Sequence, residues 1–447
     1  MNPANKQQRL TLAVDNLTSD GEGVARRNRE VYFVPGALPG EEVEVVLDGR
    51  RRKVWLTRLL NVIKASPERV EPACPHYQRC GGCDLQHLDY PAQVRFKQDR
   101  VARELQRQGV EVPFWETPIT ADAWHYRRKA RLGVRFSKER GENFIGFREA
   151  ASSHLTNIDH CAVLPQHPLL DWTLWRDCIG QLNARALITQ IEVLMADNAL
   201  AFILRVLKPL PQADQDQLIQ LLKSSESALP VELWLKSDKG QAPERIWPAE
   251  AAPLHHKVDD IELTIQPDDF VQVNGAVNRA MVAQAMGWLN PKSDEILWDL
   301  FAGHGNFSMP LAKRSAHVYA VEGDESMVHS LSLQAEKLAL PLQAKVADLN
   351  GDGGLKDLPD PHAVLLDPPR AGAEGIMHEL IQRRVPRILY VSCDAATLAR
   401  DLGTLTAAGY RVLKAGIMDM FPQTHHVETM VLLDRKPKDE KKAKAHG

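Results

Sequence analysis

Residues Ile296 to Phe307 read ILWDLFAGHGNF. An apolar run of strand length passes straight into a glycine-bearing turn, and the residues after the turn read as a helix. Gly303 and Gly305 let the backbone come close to a ligand, because a residue without Cβ adopts conformations closed to others. A glycine pair is a weak signal by itself. Nineteen residues after Gly303, however, the run His317 to Val321 ends in Glu322, an acidic side chain placed to accept hydrogen bonds from ribose hydroxyls. The fuller G-x-G-x-x-G of pyrophosphate binders lacks its third glycine here. That favours a nucleoside cofactor without a pyrophosphate, S-adenosylmethionine, over NAD.

Further strand-like runs at Gln343 to Ala347 and Ala363 to Leu366 end in Asp348 and in Asp367-Pro368-Pro369-Arg370. Others come at Ile388 to Val391, Tyr410 to Ala415 and Val427 to Leu433. Counted from Ile296 these make seven strands, the last pair close enough to be antiparallel, which is the pattern of a class I methyltransferase. Just upstream, Val277, Met281, Ala285 and Trp288 share one face of a helix. Glu322, Asp348 and Asp367 each fall at a strand's carboxyl end. A solvated strand end explains any one of them; a shared rim explains all three.

The run RILYVSCDAAT, Arg387 to Thr397, ends its apolar part on Ser392 and Cys393, and Ala395 to Ala408 then reads as a helix. Cys393 therefore sits at a strand-to-helix turn, where open α/β sheets form their ligand crevice. Most free cysteines are buried core residues. The acids on the same rim make a reactive thiol the better reading.

Four other cysteines form a set, Cys74-x5-Cys80-x2-Cys83 with Cys161 far downstream. The chain opens MNPANKQQRL with no hydrophobic signal segment and contains no run of 18 apolar residues, so it is expected to be cytoplasmic and not membrane-bound. In a reducing compartment four gathered thiols suit a metal better than disulfides. Zinc and iron-sulfur clusters both accept four thiolates, and the uneven spacing with a distant fourth ligand favours iron-sulfur. The remaining Cys178 reads as a core residue beside Trp172, Trp175 and Ile179.

At 447 residues the chain has room for roughly three domains. Between about residues 8 and 63, short strands at Arg9 to Asp15, Val31 to Pro35, Glu42 to Leu47 and Val54 to Ile63 are punctuated by glycines, as in a small β-barrel that binds RNA. From Asp84 to about Pro267 helix and strand patterns alternate. Val94 to Gln108 and Asp214 to Lys223 read as helices, and Leu187 to Met195 with Leu200 to Leu207 as a hairpin. The net charge of −3 argues against a uniformly basic nucleic-acid binder, but charge is segregated. Eight Lys or Arg fall between His125 and Arg148, interleaved with Tyr126, Phe136, Phe144 and Phe147. That composition suits either a solvated face or a surface that tracks phosphates and stacks on unpaired bases, and RNA contact is the reading favoured here. The final residues, 436–447, read as a disordered basic tail.

DGEGVAR followed by VYFVPGALPGEEVEV resembles a TRAM domain, a small RNA-binding barrel of RNA-modifying enzymes. CPHYQRCGGC, DFVQVN, DLFAGHGNF, LLDPPRAG, YVSC with ATLARD, and MFPQTHHVETMVLL resemble the RNA uracil-C5 methyltransferase family, in its bacterial 23S rRNA branch. The resemblance implies a multidomain chain: a TRAM/OB-like β-barrel (1–66), an α/β central domain with the cluster (67–266) and a Rossmann-like, seven-stranded α/β methyltransferase domain (267–435). By it, Gln272, Phe301, Asn306, Glu322, Asp348 and Asp367 contact or border S-adenosylmethionine. Cys393 is the nucleophile and Glu428 the base. Cys74, Cys80, Cys83 and Cys161 hold a [4Fe-4S] cluster. The partner implied is 23S rRNA; attack at C6 expects a uridine flipped from a loop, and the chain is expected to be a monomer. The family usually has Asn-Pro after the nucleophile, where this chain has Asp394-Ala395. Asp394 should cap the following helix as well as Asn does. Its charge should disfavour the Cys393 thiolate.

That chemistry accounts for the residue types. A thiolate adding to C6 of uracil makes C5 nucleophilic, and after methylation a base must remove the C5 proton. His425 and His426 are rival bases, placed behind Glu428 by the resemblance alone. An acid-Pro-Pro turn also serves methyltransferases of exocyclic amines, which need no thiol. A binding protein that holds RNA with barrel and cluster, iron-sulfur or zinc, without catalysis is a third reading.

Overall fold

The computed structural model describes residues 8–435 apart from 138, 140, 151, 238–240 and 352–353. The basic tail expected at 436–447, and Lys138 and Arg140 of the basic stretch, lie outside the described residues.

Alternation of apolar and polar residues at the amino terminus closes a barrel. Its strands are β1 (Arg9–Leu17), β2 (Gly23–Arg27), β3 (Glu30–Val34), β4 (Glu42–Arg51) and β5 (Val54–Lys64), in the order β1-β2-β3-β5-β4. Val43, Val45 and Leu47 of β4 meet Leu12, Val14, Ala25 and Val34 inside. Glu41, buried just before β4, accepts hydrogen bonds from the Leu38 and Ser66 amides and pairs with Arg69 at 2.5 Å, stitching the barrel to the next segment.

Helix α1 (Tyr90–Arg107), capped by Asp89, leads into the central sheet. That sheet comprises β6 (Lys129–Ser137), β7 (Glu142–Arg148), β8 (Leu155–Asn157), β9 (Ile188–Met195), β10 (Leu200–Val206), β11 (Val231–Ser237) and β12 (Glu244–Trp247). The order is β12-β11-β10-β9-β6-β7-β8, with α2 (Trp172–Gln181) and α3 (Gln212–Lys223) contributing to its core. β9 and β10 pair antiparallel, as the hairpin reading expects. Cys178 packs against this core beside the buried Trp172 and Trp175. α1 itself does not pack there: Val101 and Leu105 join the core of the carboxyl-terminal sheet, and α1 lies against a helix of that domain.

After the hairpin β13 (His255–Val258) and β14 (Ile261–Thr264), α4 (Gly275–Leu289) buries Val277, Met281 and Ala285 as its periodicity requires. The last sheet holds β15 (Ile296–Leu300), β16 (His317–Glu322), β17 (Leu342–Val346), β18 (Ala363–Leu366), β19 (Arg387–Ser392), β20 (Tyr410–Met418) and β21 (Glu428–Arg435). Helices α5 (Ser308–Ala312), α6 (Glu325–Lys337), α7 (Glu374–Gln382) and α8 (Ala395–Ala407) connect them. The order is β17-β16-β15-β18-β19-β21-β20, with β17 through β19 parallel and β21 inserted antiparallel. The chain therefore reverses its direction of travel between β15 and β18. Open α/β sheets bind ligands at the strand carboxyl ends beside such a switch point.

Candidate active site

Two adjoining cavities open at that rim, sharing Phe270 and Gln272. The first, about 530 Å³, is lined by all six residues expected at the cofactor: Gln272, Phe301, Asn306, Glu322, Asp348 and Asp367. Phe301 comes directly after β15 with φ +65°, and its amide and that of Ala302 both donate to the Val321 carbonyl. Gly305 has φ +91°, and a Cβ there would meet Leu331 at 2.5 Å, so the tight turn requires glycine. Glu322 accepts from the amides of Gly303 (3.0 Å), Gly323 (2.7 Å) and Asp324 (3.1 Å), which fixes its carboxylate at the end of β16. Asn306 exchanges two amide hydrogen bonds with Asn278 of α4. Asp367 is pushed up to about 7 by burial. Asp299, behind the turn, also reaches about 7, through burial and the nearby Asp367 and Glu322 against the opposing hydrogen bond from Ser308.

Sequence reasoning misses His304. It lines this cavity, and its ring nitrogens make no hydrogen bond within the protein, the nearest acid being Asp269 at 3.5 Å. Its one signal is its place between the two glycines of FAGHGNF. Phe270 escapes notice as well: 69% exposed, it stands where the two cavities meet.

The second cavity, about 510 Å³, brings together Cys393, Glu428, Arg370, His425 and His426. Strand register explains why the first two meet. Ser392 of β19 pairs with Thr429 of β21, so the next residue outward on each strand, Cys393 and Glu428, reaches the same end of the ladder. The Cys393 thiol is pushed up to about 11, by burial first and then by Glu428 and Asp367, with Arg370 opposing. Asp394 adds the least of the acids named, and its carboxylate is occupied by the amides of Ala396 and Thr397 at the start of α8. The cap is as expected; the charge effect is secondary to burial. Burial and Asp367 hold the Glu428 carboxyl well above the ordinary range, again with Arg370 opposing.

The rival bases are differently placed. His425 commits Nδ1 to Asp84 at 2.6 Å. His426 is pushed down to about 4 by burial, with His425 and Arg370 adding to it.

Cys74, Cys80, Cys83 and Cys161 line this same cavity, all without disulfide partners. Among the described residues no three His, Cys, Asp or Glu side chains come close enough to hold a single metal ion. Burial pushes the Cys83 thiol up to about 12, and the other three cysteines raise it further against a hydrogen bond from Gln86.

Part of the basic stretch turns inward, while Arg131, Arg135 and Arg148 stay exposed. Arg128 is buried, with Nε donating to the Gln272 carbonyl at 2.8 Å. Lys129 Nζ donates to the carbonyls of Pro267 and Asp269, and the buried Tyr126 hydroxyl donates to Pro422. The carbonyls at Pro267, Asp269 and Gln272 lie outside any strand, and these cations satisfy them. Arg127, by contrast, lines the second cavity.

Fold, switch-point cavity and cross-strand thiol together define a class I methyltransferase that carries a cysteine beside its cofactor crevice. The tRNA (Uracil-5-)-methyltransferase family profile matches residues 89–436, and the TRAM profile matches residues 3–53. A protein of Shewanella frigidimarina named 23S rRNA (uracil(1939)-C(5))-methyltransferase RlmD is 38% identical over 95% of this chain and 96% of its own. One of that name from Pseudomonas putida is 40% identical over 97% and 94%. The crystal structure of Pyrococcus abyssi tRNA (uracil-54, C5)-methyltransferase in complex with S-adenosyl-L-homocysteine superposes with a TM-score of 0.74 at 23% identity, covering 95% of this chain and all of that one. The chain belongs to the RNA (uracil-5-)-methyltransferase family.

Proposed function

We propose that this protein methylates C5 of a specific uridine in 23S rRNA, with S-adenosylmethionine as donor, to give 5-methyluridine. The observation that carries this reading is the meeting of Cys393 and Glu428 in a cavity that adjoins the one bordered by Glu322, Asp348 and Asp367. The Shewanella and Pseudomonas relatives bear the name of that activity. The first cavity suits the cofactor, since it offers the fixed Glu322 carboxylate and a His304 ring whose nitrogens make no hydrogen bond within the protein. Gln272, Phe301, Asn306, Glu322, Asp348 and Asp367 would hold it, and when bound it supplies an electrophilic methyl group.

Every other step falls to the chain. Cys393 adds as thiolate to C6, and the electron pair displaced onto C5 makes that carbon the nucleophile. Once C5 carries the methyl group, Glu428 removes the C5 proton. The C–H electrons re-form the C5–C6 double bond and expel Cys393 as thiolate. Two anions in one buried cavity disfavour each other, which orders these events. When the sulfur is bonded to C6 its charge is gone, so Glu428 ionises at lower cost. Arg370 favours the ionised form of each in turn.

The target uridine must leave its stack to reach this cavity, as a base flipped from a loop does. Phe270, exposed where the two cavities meet, would shield it. The four cysteines fit a [4Fe-4S] cluster: buried thiols that raise one another's pKa call for a polycationic partner to hold them as thiolates. Cys74, Cys80, Cys83 and Cys161 would ligate it, and it would supply structural order near the base. The proposed division is a barrel to residue 66 that grips RNA, a central segment to 266 whose helix α1 and hairpin β13–β14 pack on the catalytic core, and a catalytic domain to 435, working as a monomer in the cytoplasm. Among the described residues no helix is long and apolar enough to cross a membrane.

Mapping 5-methyluridine in rRNA from a strain lacking the gene tests the reading. One uridine in 23S rRNA should lose its methyl group and regain it on complementation by the native chain but not by Cys393→Ala. An unchanged 5-methyluridine map would reject it.

A further inference from the structure

The turn between β20 and β21, which delivers Glu428, is gripped from outside the methyltransferase sheet. At its centre Gln423 is buried and non-glycine, yet has φ +68°. A left-handed conformation of this kind persists only where the surroundings over-determine it. Four contacts do so here. The Gln93 side chain of α1 accepts from the Gln423 amide and donates to its side-chain carbonyl, both at 3.0 Å. The Gln423 carbonyl accepts from the amides of Asp84 (3.1 Å) and Leu85 (3.0 Å), the two residues directly after Cys83. Gln93 also donates to the carbonyls of Leu85 and Leu88, so one amide side chain binds both segments.

The same face of α1 continues the grip at successive turns. Lys97, fully buried, donates to Asp419 at 2.6 Å and to the Phe421 carbonyl at 3.0 Å. Arg100 donates to the His425 carbonyl at 2.9 Å. Positions 93, 97 and 100 have the i, i+4, i+7 spacing of one helical stripe. From Asp419 to His425 the turn is thus held at each end and in the middle by residues more than 300 positions away in sequence.

We propose that Gln423 is a positioning residue for Glu428: clamped by Gln93 and by the Asp84 and Leu85 amides, it sets where the turn places the Glu428 carboxyl beside Cys393. Through Asp84 the loop that carries Cys83 is tied to the proton-removal step. This rests on Glu428 acting as the base.

The test separates addition from release. RNA carrying 5-fluorouridine has no C5 proton to lose, so it traps the methylated Cys393 adduct without needing the base. Release is read as turnover on uridine RNA. In Gln93→Leu, trapping should stay within about twofold of the native rate, while turnover falls roughly 10- to 100-fold and methylated adduct accumulates, as expected of a general base displaced by part of an ångström. Gln423→Gly, which suits the left-handed backbone and keeps the three backbone contacts but loses the bond from Gln93 to the side-chain carbonyl, should show the same partition to a smaller degree with native thermal unfolding. Trapping and turnover falling together in both variants, or lower thermal stability with release unchanged, would overturn the proposal. Glu428→Gln run alongside distinguishes the two ideas. If it accumulates adduct and Gln93→Leu does not, the clamp alone is wrong; if it accumulates none, the base assignment fails and the clamp falls with it.

Discussion

Cys393 and Glu428 stand opposite each other at the open end of the β19–β21 ladder, one residue beyond the pair Ser392 and Thr429. Strand pairing brings the proposed nucleophile and base to the same end of the sheet, and the turn before β21 then sets the exact position of the acid. Their proximity also makes each carboxylate-thiolate combination costly, and that cost is measurable.

Alkylation of Cys393 should have a midpoint near 11, because burial, Glu428 and Asp367 disfavour the thiolate. Removing the acid in Glu428→Gln should lower the midpoint by on the order of one pH unit, and removing the cation in Arg370→Gln should raise it. Asp394→Asn should lower it by less, since that carboxylate is already hydrogen-bonded to two helix amides. The pH dependence of iodoacetamide labelling, corrected with Cys393→Ala, measures all three. Equal midpoints in the native protein and Glu428→Gln would show that the acid does not act on the thiol.

Protein purified without oxygen should be brown, with thiolate-to-iron absorption, and Cys83→Ser should lose the colour. Colourless protein holding stoichiometric zinc would exclude the cluster. The cysteines lie outside the methyltransferase sheet, so no radical is expected during turnover.

Acid should loosen the barrel through Glu41. Burial alone would raise its pKa, but Arg69 and the Leu38 and Ser66 amides outweigh it and hold the folded carboxyl below the ordinary carboxylate range. The stabilisation is therefore complete above the unfolded value and is lost as pH falls through the lower folded one. Glu41→Gln should cost about 1–3 kcal/mol at neutral pH. Hydrogen exchange of the barrel amides should show that difference shrinking as pH falls through the lowered folded value. A difference independent of pH would mean that the carboxylate charge contributes nothing.

The catalytic sheet is legible in the sequence because its signals are local. Four strands end on or just before an acid or thiol that lines the two cavities, Glu322, Asp348, Asp367 and Cys393, and the glycine turn at 303–305 marks the switch point. Cys74, Cys80 and Cys83 are legible for the same reason, their spacing being local, whereas Cys161 joins them in one cavity from far downstream. What sequence hides is where a polar side chain spends its hydrogen bonds. Arg128 and Lys129 read as surface cations because nothing local shows that carbonyls at 267–272 lack strand partners. Helix α1 reads as part of the central domain, yet Val101 and Leu105 complete a core assembled some 200 residues later. The left-handed Gln423 carries no sequence mark, since its partners Gln93 and Asp84 lie more than 300 residues away.

The central claim, that Cys393 attacks uracil so that C5 can take a methyl group, is tested most directly with 5-fluorouridine RNA and S-adenosylmethionine labelled in its methyl group. The native protein should form a complex with the RNA that survives denaturation, carries the label and maps to Cys393, and Cys393→Ala should form none. Labelled RNA produced by Cys393→Ala at the native rate, with no covalent complex from the native protein, would contradict the account.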